Sequence, residues 1–296
     1  MAAEFLRRLM GRPPSLPGEI AEAMEELARL AKARPTLAET ANMLGDILPA
    51  LFAEPIPSEM PVITSERAAV KLESGVPLLR GEAIPLDVAA FTRRWLDICT
   101  VVEHNRKGPT AEAMRRGLLD PKQLTADVLA GRPEAIHARM DSLGLDAGLA
   151  ATVLRLTLFP VLTQLHEALT STPNGRWERG YCPTCGSWPL LGEFRGLEQT
   201  RFLRCGQCAA EWEFPRLRCP FCSCTDHRQL GFFFVESEEG KSRVATCDAC
   251  RGYVKMVSTL TVLSPPMLLT ADVATMHLDL AAADRGYEPG ASSSQS

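Results

Sequence analysis

Four Cys-x-x-Cys pairs between residues 182 and 250 restrict this chain more than any other feature. They are Cys182/Cys185, Cys205/Cys208, Cys219/Cys222 and Cys247/Cys250. The spacing lets one tight turn aim two thiolates at one ion while backbone N–H groups of the turn donate to the sulfurs. Two such turns complete a tetrahedron. The interval from Cys185 to Cys205 suits a metal ribbon, and that from Cys222 to Cys247 is slightly long. Pairing neighbours in sequence puts Cys182, Cys185, Cys205 and Cys208 in one site and Cys219, Cys222, Cys247 and Cys250 in another; a crossed pairing is the alternative. Two further readings compete, in which the cysteines are buried residues or disulfides, or redox-active dithiols. Glycine and hairpin sequence after the pairs, as at Cys185-Gly186, disfavours a thioredoxin-type dithiol, which opens a helix. Four thiolates suit zinc, and equally a single iron of the rubredoxin kind. They leave no open coordination position, so a hydrolytic metal enzyme is not expected. No nucleophile–base pair, phosphate loop or carboxylate dyad stands out as a motif.

Nine of the ten cysteines fall in this region. Disulfides are rare in a reducing cytosol, where clustered cysteines more often bind metal. Arg7, Arg8 and Arg12 interrupt any secretory apolar core at the N-terminus, and no run of about 18 apolar residues occurs. The expectation is a cytoplasmic chain with no direct membrane insertion. A net charge of -4 and a pI near 5.8 argue against a nucleic-acid partner. Arg201, Arg204, Arg216, Arg218, Arg251 and Lys255 could offset the charge of a tetrathiolate site; equally, they alternate with Glu193, Glu198, Glu211 and Glu213 as solvated strand faces. Cys224 reads as a bystander, Cys99 and His166 as core residues, and His227 as a weak candidate for contact with a metal ligand.

Residues 1–178 read as a helical domain. Ile20, Met24, Leu27 and Leu30 share one helical face, Thr36 and Glu39 form a capping box for a helix to about Phe52, and Asp87 to Glu103 is periodic again. Pro55, Pro57 and Pro61 form a connector, and Ser74 to Pro85 a second loop. Shorter helices are expected near 111–118, 122–130 and 134–142. Leu145 to Leu169 is the most apolar segment, kinked or split at Pro160. The character changes at Pro173-Asn174-Gly175. Within 179–260, short runs beginning at Trp188, Thr200, Glu211, Leu230, Ser242 and Tyr253 read as hairpin strands in two tandem four-cysteine modules. A helix from about Ala271 to Ala283 and a Ser-rich tail complete 261–296. The fold class is therefore α+β: a helical domain, two rubredoxin-like or zinc-ribbon modules, and a C-terminal helix.

Flanking residues make the motif more specific. Tyr181-Cys-Pro-Thr-Cys-Gly-Ser187, Arg201-Phe-Leu-Arg-Cys205-x-x-Cys208-x-x-Glu211-Trp212, Arg216-x-Arg218-Cys219-x-x-Cys222 and Cys247-x-x-Cys250-x-x-Tyr253-x-Lys255 resemble the FdhE family of formate dehydrogenase accessory proteins. The likeness extends to Arg34-Pro35, Pro85-Leu86-Asp87 and the helix from Asp272 to Gly286-Tyr287. Cys224 and the Ser-rich tail depart from the family pattern. The resemblance implies a cytoplasmic accessory protein rather than an enzyme. It implies a partner, the catalytic subunit of respiratory formate dehydrogenase, and two rubredoxin-type iron sites on the eight knuckle cysteines. Spacing alone admits zinc. A zinc-ribbon nucleic-acid module and a rubredoxin-like electron carrier are the competing functions.

Overall fold

A computed structural model of the chain describes residues 17–52, 61, 63–84, 86–103, 108–169, 177–235 and 241–290. The expectations for the extreme N-terminus, Pro55, Pro57, Pro85, the 173–175 boundary and the Ser-rich tail lie outside these residues. Helices α1 (Pro17–Ala33), α2 (Ala38–Phe52), α3 (Ser65–Glu73), α4 (Val88–Val102), α5 (Pro109–Arg115), α6 (Pro121–Ala130), α7 (Pro133–Ser142) and α8 (Ala147–Leu169) come first. Strands β1 (Pro189–Arg195), β2 (Thr200–Cys205), β3 (Glu211–Glu213), β4 (Leu230–Phe233), β5 (Ser242–Cys247) and β6 (Gly252–Thr259) follow. The chain then forms α9 (Pro265–Ala274), α10 (Met276–Ala283) and the short β7 (Glu288–Pro289).

The helices follow their apolar stripes, with informative exceptions. In α1, Ala23, Leu27 and Leu30 are buried, whereas Met24 faces solvent. Helix α2 starts only after a 3-10 turn at Pro35–Leu37, so Thr36 lies inside that turn rather than capping the helix. Helix α3, absent from the sequence expectation, is capped by Thr64, whose side chain accepts from the Arg67 N–H. Asp87 caps α4 in the same way through Ala90. Helix α8 runs unbroken through Pro160. A helix-interior proline costs about 3 kcal/mol or more. Burial of Leu154, Leu158, Phe159, Val161, Leu162 and Leu165, at roughly 1.5–3 kcal/mol each, outweighs it. By length and hydropathy α8 could span a bilayer, but 67% of its most apolar window is buried inside the protein, as in a core helix.

The two ribbons share one sheet, ordered β3-β2-β1-β6-β5-β4, with β7 also paired to β6. Each half is an antiparallel meander, and the halves meet through parallel pairing of β1 with β6, from Gly192↔Met256 to Arg195↔Thr259. Gly192 permits the join: a Cβ there would sit 2.5 Å from the Met256 sulfur. The C-terminal helix is two helices, broken at Thr275. Helix α9 packs back against α1 and α2, and α10 covers β5 and β6. Helices, first ribbon and α9 form one apolar core, while Val244, Tyr253, Leu278 and Ala282 form a second, smaller one.

Several charges assigned by sequence to strand surfaces or to the metal sites are instead buried and paired. Glu193 is fully buried and ion-paired with Arg204, and it also binds Arg195 at 2.7 Å. Arg204 donates further to the carbonyls of Ala209 (3.2 Å) and Leu263 (2.8 Å). Buried Lys255 bridges Asp272 and Asp279, each at 2.7 Å, and so ties α9 and α10 to β6. Arg201 spends its guanidinium on the carbonyls of Pro215, Arg216 and Arg218. Removing one partner of a buried pair strands the other charge. Glu193→Ala should therefore lower unfolding free energy by about 3–5 kcal/mol. The double variant Glu193→Leu/Arg204→Met should lie closer to wild type. Denaturant midpoints of the three proteins measure this; equal losses in both variants would contradict it.

Candidate metal centres

The sheet ends and the turns between strands bring the eight cysteines into two groups. Cys182, Cys185, Cys205 and Cys208 gather in one; Cys219, Cys222, Cys247 and Cys250 gather in the other. Within each group the sulfurs all lie within 4.8 Å of one another. In the first, Cys182 and Cys208 are 3.5 Å apart and Cys185 and Cys205 3.4 Å; in the second, Cys219–Cys250 is 3.7 Å and Cys222–Cys247 3.6 Å. These are not disulfides, and every cysteine here is free. A tetrahedron with metal–sulfur bonds of about 2.3 Å has edges of about 3.8 Å, so each group could hold one ion. The sequence-neighbour grouping is the one found, and the crossed one is not.

Every knuckle ends the same way. The residue after its second cysteine adopts positive φ: Gly186 (86°), Ala209 (55°), Ser223 (58°) and Arg251 (58°). Only the first is glycine, so the other three carry a side chain in a conformation L residues rarely adopt. This turn points backbone N–H groups at sulfur: Thr184 donates to Cys182 Sγ (3.4 Å) and Gln207 to Cys205 Sγ (3.3 Å). It also closes three of the knuckles, through Gly186 N–H to Cys182 O (3.0 Å), Ala209 N–H to Cys205 O (3.0 Å) and Ser223 N–H to Cys219 O (3.1 Å).

The two groups differ in burial. All four cysteines of the first are buried, whereas in the second Cys222 is exposed and Cys250 half-buried. The helices grip the first group from several sides. From α8, Arg155 donates to Gly206 O (3.2 Å) and His166 Nδ1 meets the Thr184 hydroxyl (2.9 Å). The loop after α3 adds backbone bonds from Leu78 to Pro183 O and Leu79 to Thr184 O, both 2.8 Å.

Hydrogen bonds from Cys182, Cys205 and Cys208 hold the Cys185 thiol well below its usual range, while burial pushes Cys205 and Cys208 well above it. Burial likewise raises Cys219, and Cys250 to about 11. At Cys222 burial opposes ionisation, but hydrogen bonds from the Cys224 backbone and the other thiols outweigh it and the thiol is lowered. Each group thus sets one readily ionised sulfur, Cys185 or Cys222, beside two that resist ionisation, Cys205 and Cys208 in the first and Cys219 and Cys250 in the second. A cation held between them would favour the thiolate form of all four.

The remaining sequence candidates fall outside the groups. Cys224 is half-buried, and its carbonyl accepts from Cys219 N–H (2.9 Å). Cys99 is core, its thiol pushed up to about 12 by burial. His227 is exposed, 4.0 Å from Asp226. His166, read from sequence as core, also braces a knuckle. Arg155 was not picked out at all, since one arginine on an apolar helix carries no motif.

A helical region joined through a mixed sheet to two four-cysteine groups defines a double-knuckle protein of α+β class. Residues 181–216 match the model of the FdhE central domain and residues 217–294 that of the FdhE C-terminal domain. Over these residues the chain is similar to the FdhE family. It is 36% identical over 115 residues to the FdhE homolog of Stutzerimonas stutzeri, covering 38% of this chain and 37% of that one. With the homolog of Aquifex aeolicus it shares 30% over 150 residues, or 48% and 52% of the two chains. These alignments span a third to a half of the relatives' lengths. One with the Edwardsiella ictaluri homolog is longer, 25% identical over 290 residues, covering 93% of this chain and 87% of that one. The crystal structure of FdhE from Pseudomonas aeruginosa superposes with a TM-score of 0.60 at 23% identity, over 91% of this chain and 92% of the other.

Burial lowers the His166 pKa to about 4. Protons therefore bind the unfolded chain first, and stability present above about pH 6.5 is lost as pH falls toward 4. Wild type should lose about 3 kcal/mol more over that interval than His166→Gln, which keeps a partner for Thr184 but does not titrate. Parallel pH profiles of unfolding free energy would contradict this.

Proposed function

We propose that this chain is an accessory protein for the maturation of respiratory formate dehydrogenase, acts in the cytoplasm, and is not itself an enzyme. Its eight knuckle cysteines, Cys182, Cys185, Cys205, Cys208, Cys219, Cys222, Cys247 and Cys250, each ligate one of two metal ions, with iron bound in rubredoxin fashion. The observation that carries this is two four-cysteine groups of tetrahedral size within FdhE-family sequence. Four thiolates around an ion leave no position for a substrate, which favours a structural or electron-storing metal over a hydrolytic one. The chain's own part is to hold the sulfurs, neutralise the turns with N–H donors, and present its remaining surface to a partner. That partner is the catalytic subunit of formate dehydrogenase.

Exposed Cys222 favours a second reading for the second group only: an iron there would have a ligand open to solvent, as electron exchange with a partner requires. A reversible one-electron wave from the second group supports this reading, and bound zinc, which has no redox chemistry, eliminates it.

Metal analysis of anaerobically purified protein should give two ions per chain, with thiolate-to-iron absorption bands. A chelator should strip the second group first, because Cys222 is exposed while the first group is buried. Cys222→Ser should keep one ion and the fold; Cys205→Ser, which disrupts the core, should lose stability along with its ion. Simultaneous loss from both groups would overturn this order.

The partner is tested by affinity capture from cells making formate dehydrogenase, lysed both with and without air. Recovery of the catalytic subunit is expected. Its absence under both conditions would count against the accessory role.

A further inference from the structure

A cleft of about 1100 Å³ opens where the helical region, both knuckles of the first cysteine group and the third knuckle converge. That is slightly above the roughly 300–1,000 Å³ of most small-molecule sites. One side comes from the α6–α7 turn and α8; the floor comes from Gly186 to Leu190 and Gly206 to Gln207; Phe221 lines it from the second group. Three donors line it without full partnership. Gln207 is 8% exposed, and among the described residues its side-chain Nε2 has no hydrogen-bond partner. The buried Nε of Arg80 likewise has none among the described residues. Arg155 donates one N–H to Gly206 O, leaving the rest of its guanidinium for a ligand.

The other cations lining the cleft are already engaged. Lys255 is held by Asp272 and Asp279, and Arg132 pairs with Asp127 at 2.6 Å. Arg80 is closely placed: a Cβ on Gly186 would come within 2.7 Å of its Nη2, and one on Gly131 within 3.2 Å. Both glycines have positive φ, so the backbone makes room for this guanidinium. Orphaned donors of this kind call for an acceptor carrying negative charge. Beside them, Trp188, Leu190 and Phe221 are half-buried and offer an apolar surface, with the Trp188 and Phe221 rings 5.4 Å apart.

We propose that this cleft binds an organic anion, its carboxylate or phosphate held by Arg80, Arg155 and Gln207 and its apolar body resting on Trp188, Leu190 and Phe221. Nothing in this depends on which metal the cysteines hold, nor on the identity of the protein partner.

Calorimetric titration of metal-replete full chain tests it with phenylacetate, phenyl phosphate and, as a cation of similar shape, benzylammonium. Saturable binding of at least one anion is expected, with none by benzylammonium. The tighter of the two anions identifies carboxylate or phosphate as the preferred group. Arg80→Gln, at a side chain with no hydrogen bond to lose among the described residues, should weaken binding roughly tenfold or more. Arg139→Gln, on the exposed face of α7, should leave it unchanged. Failure of both anions to saturate, equal binding of benzylammonium, or equal affinity in the Arg80→Gln and wild-type proteins would each overturn the proposal.

Discussion

Four sulfur atoms buried within 4.8 Å of one another are the constraint around which this structure is arranged. Gathering them requires two sharp turns, and sharp turns leave backbone donors and acceptors to be satisfied. The knuckles solve this by aiming N–H groups at sulfur and by closing on their own carbonyls. Their outer surfaces are then held by atoms from distant parts of the chain. Arg155 and His166 reach them from α8, and Leu78 and Leu79 from the loop after α3. The helical region thus makes a socket for the first cysteine group, whose sulfurs lie in the same apolar core as Trp95 and Phe159.

The second group is built by the same local rule but lacks the socket. Its knuckles share the left-handed terminal residue, and Ser223 N–H closes the first of them on Cys219 O, yet Cys222 reaches solvent. Identical motifs therefore sit in different dielectric surroundings. The difference comes from what packs on the knuckles, not from the knuckles themselves.

That distinction also explains what could be read from sequence. The cysteine grouping and the strand positions were legible because knuckles and hairpins are local: the strand that begins at Thr200 and the one that begins at Glu211 start where turn residues stop. Most helices were legible from apolar periodicity. Helix α3 was not, because only Ala68 and Leu72 face the core and its cap at Thr64 is a single residue. Long-range choices were illegible. Nothing near Glu193 announces a partner at Arg204 in full burial, and Met24 and Ala23 exchange places only because of how α1 meets α2 and α9. Among the residues lining the organic-anion cleft, Gln207 is an unremarked position between two cysteines until the fold places Arg80 and Arg155 around it.

The parallel register of β1 against β6 makes the two halves interdependent. Two like units in tandem ordinarily stay separable, and either can be lost or shuffled. Here the strand that opens the first unit hydrogen-bonds to the strand that closes the second, while α9, beyond both, returns to the N-terminal helices. A cut between residues 216 and 217, where the two matched domain models abut, would leave an open sheet edge on either fragment. The two halves therefore fold as one sheet, and neither can be taken away without baring the edge the other covers.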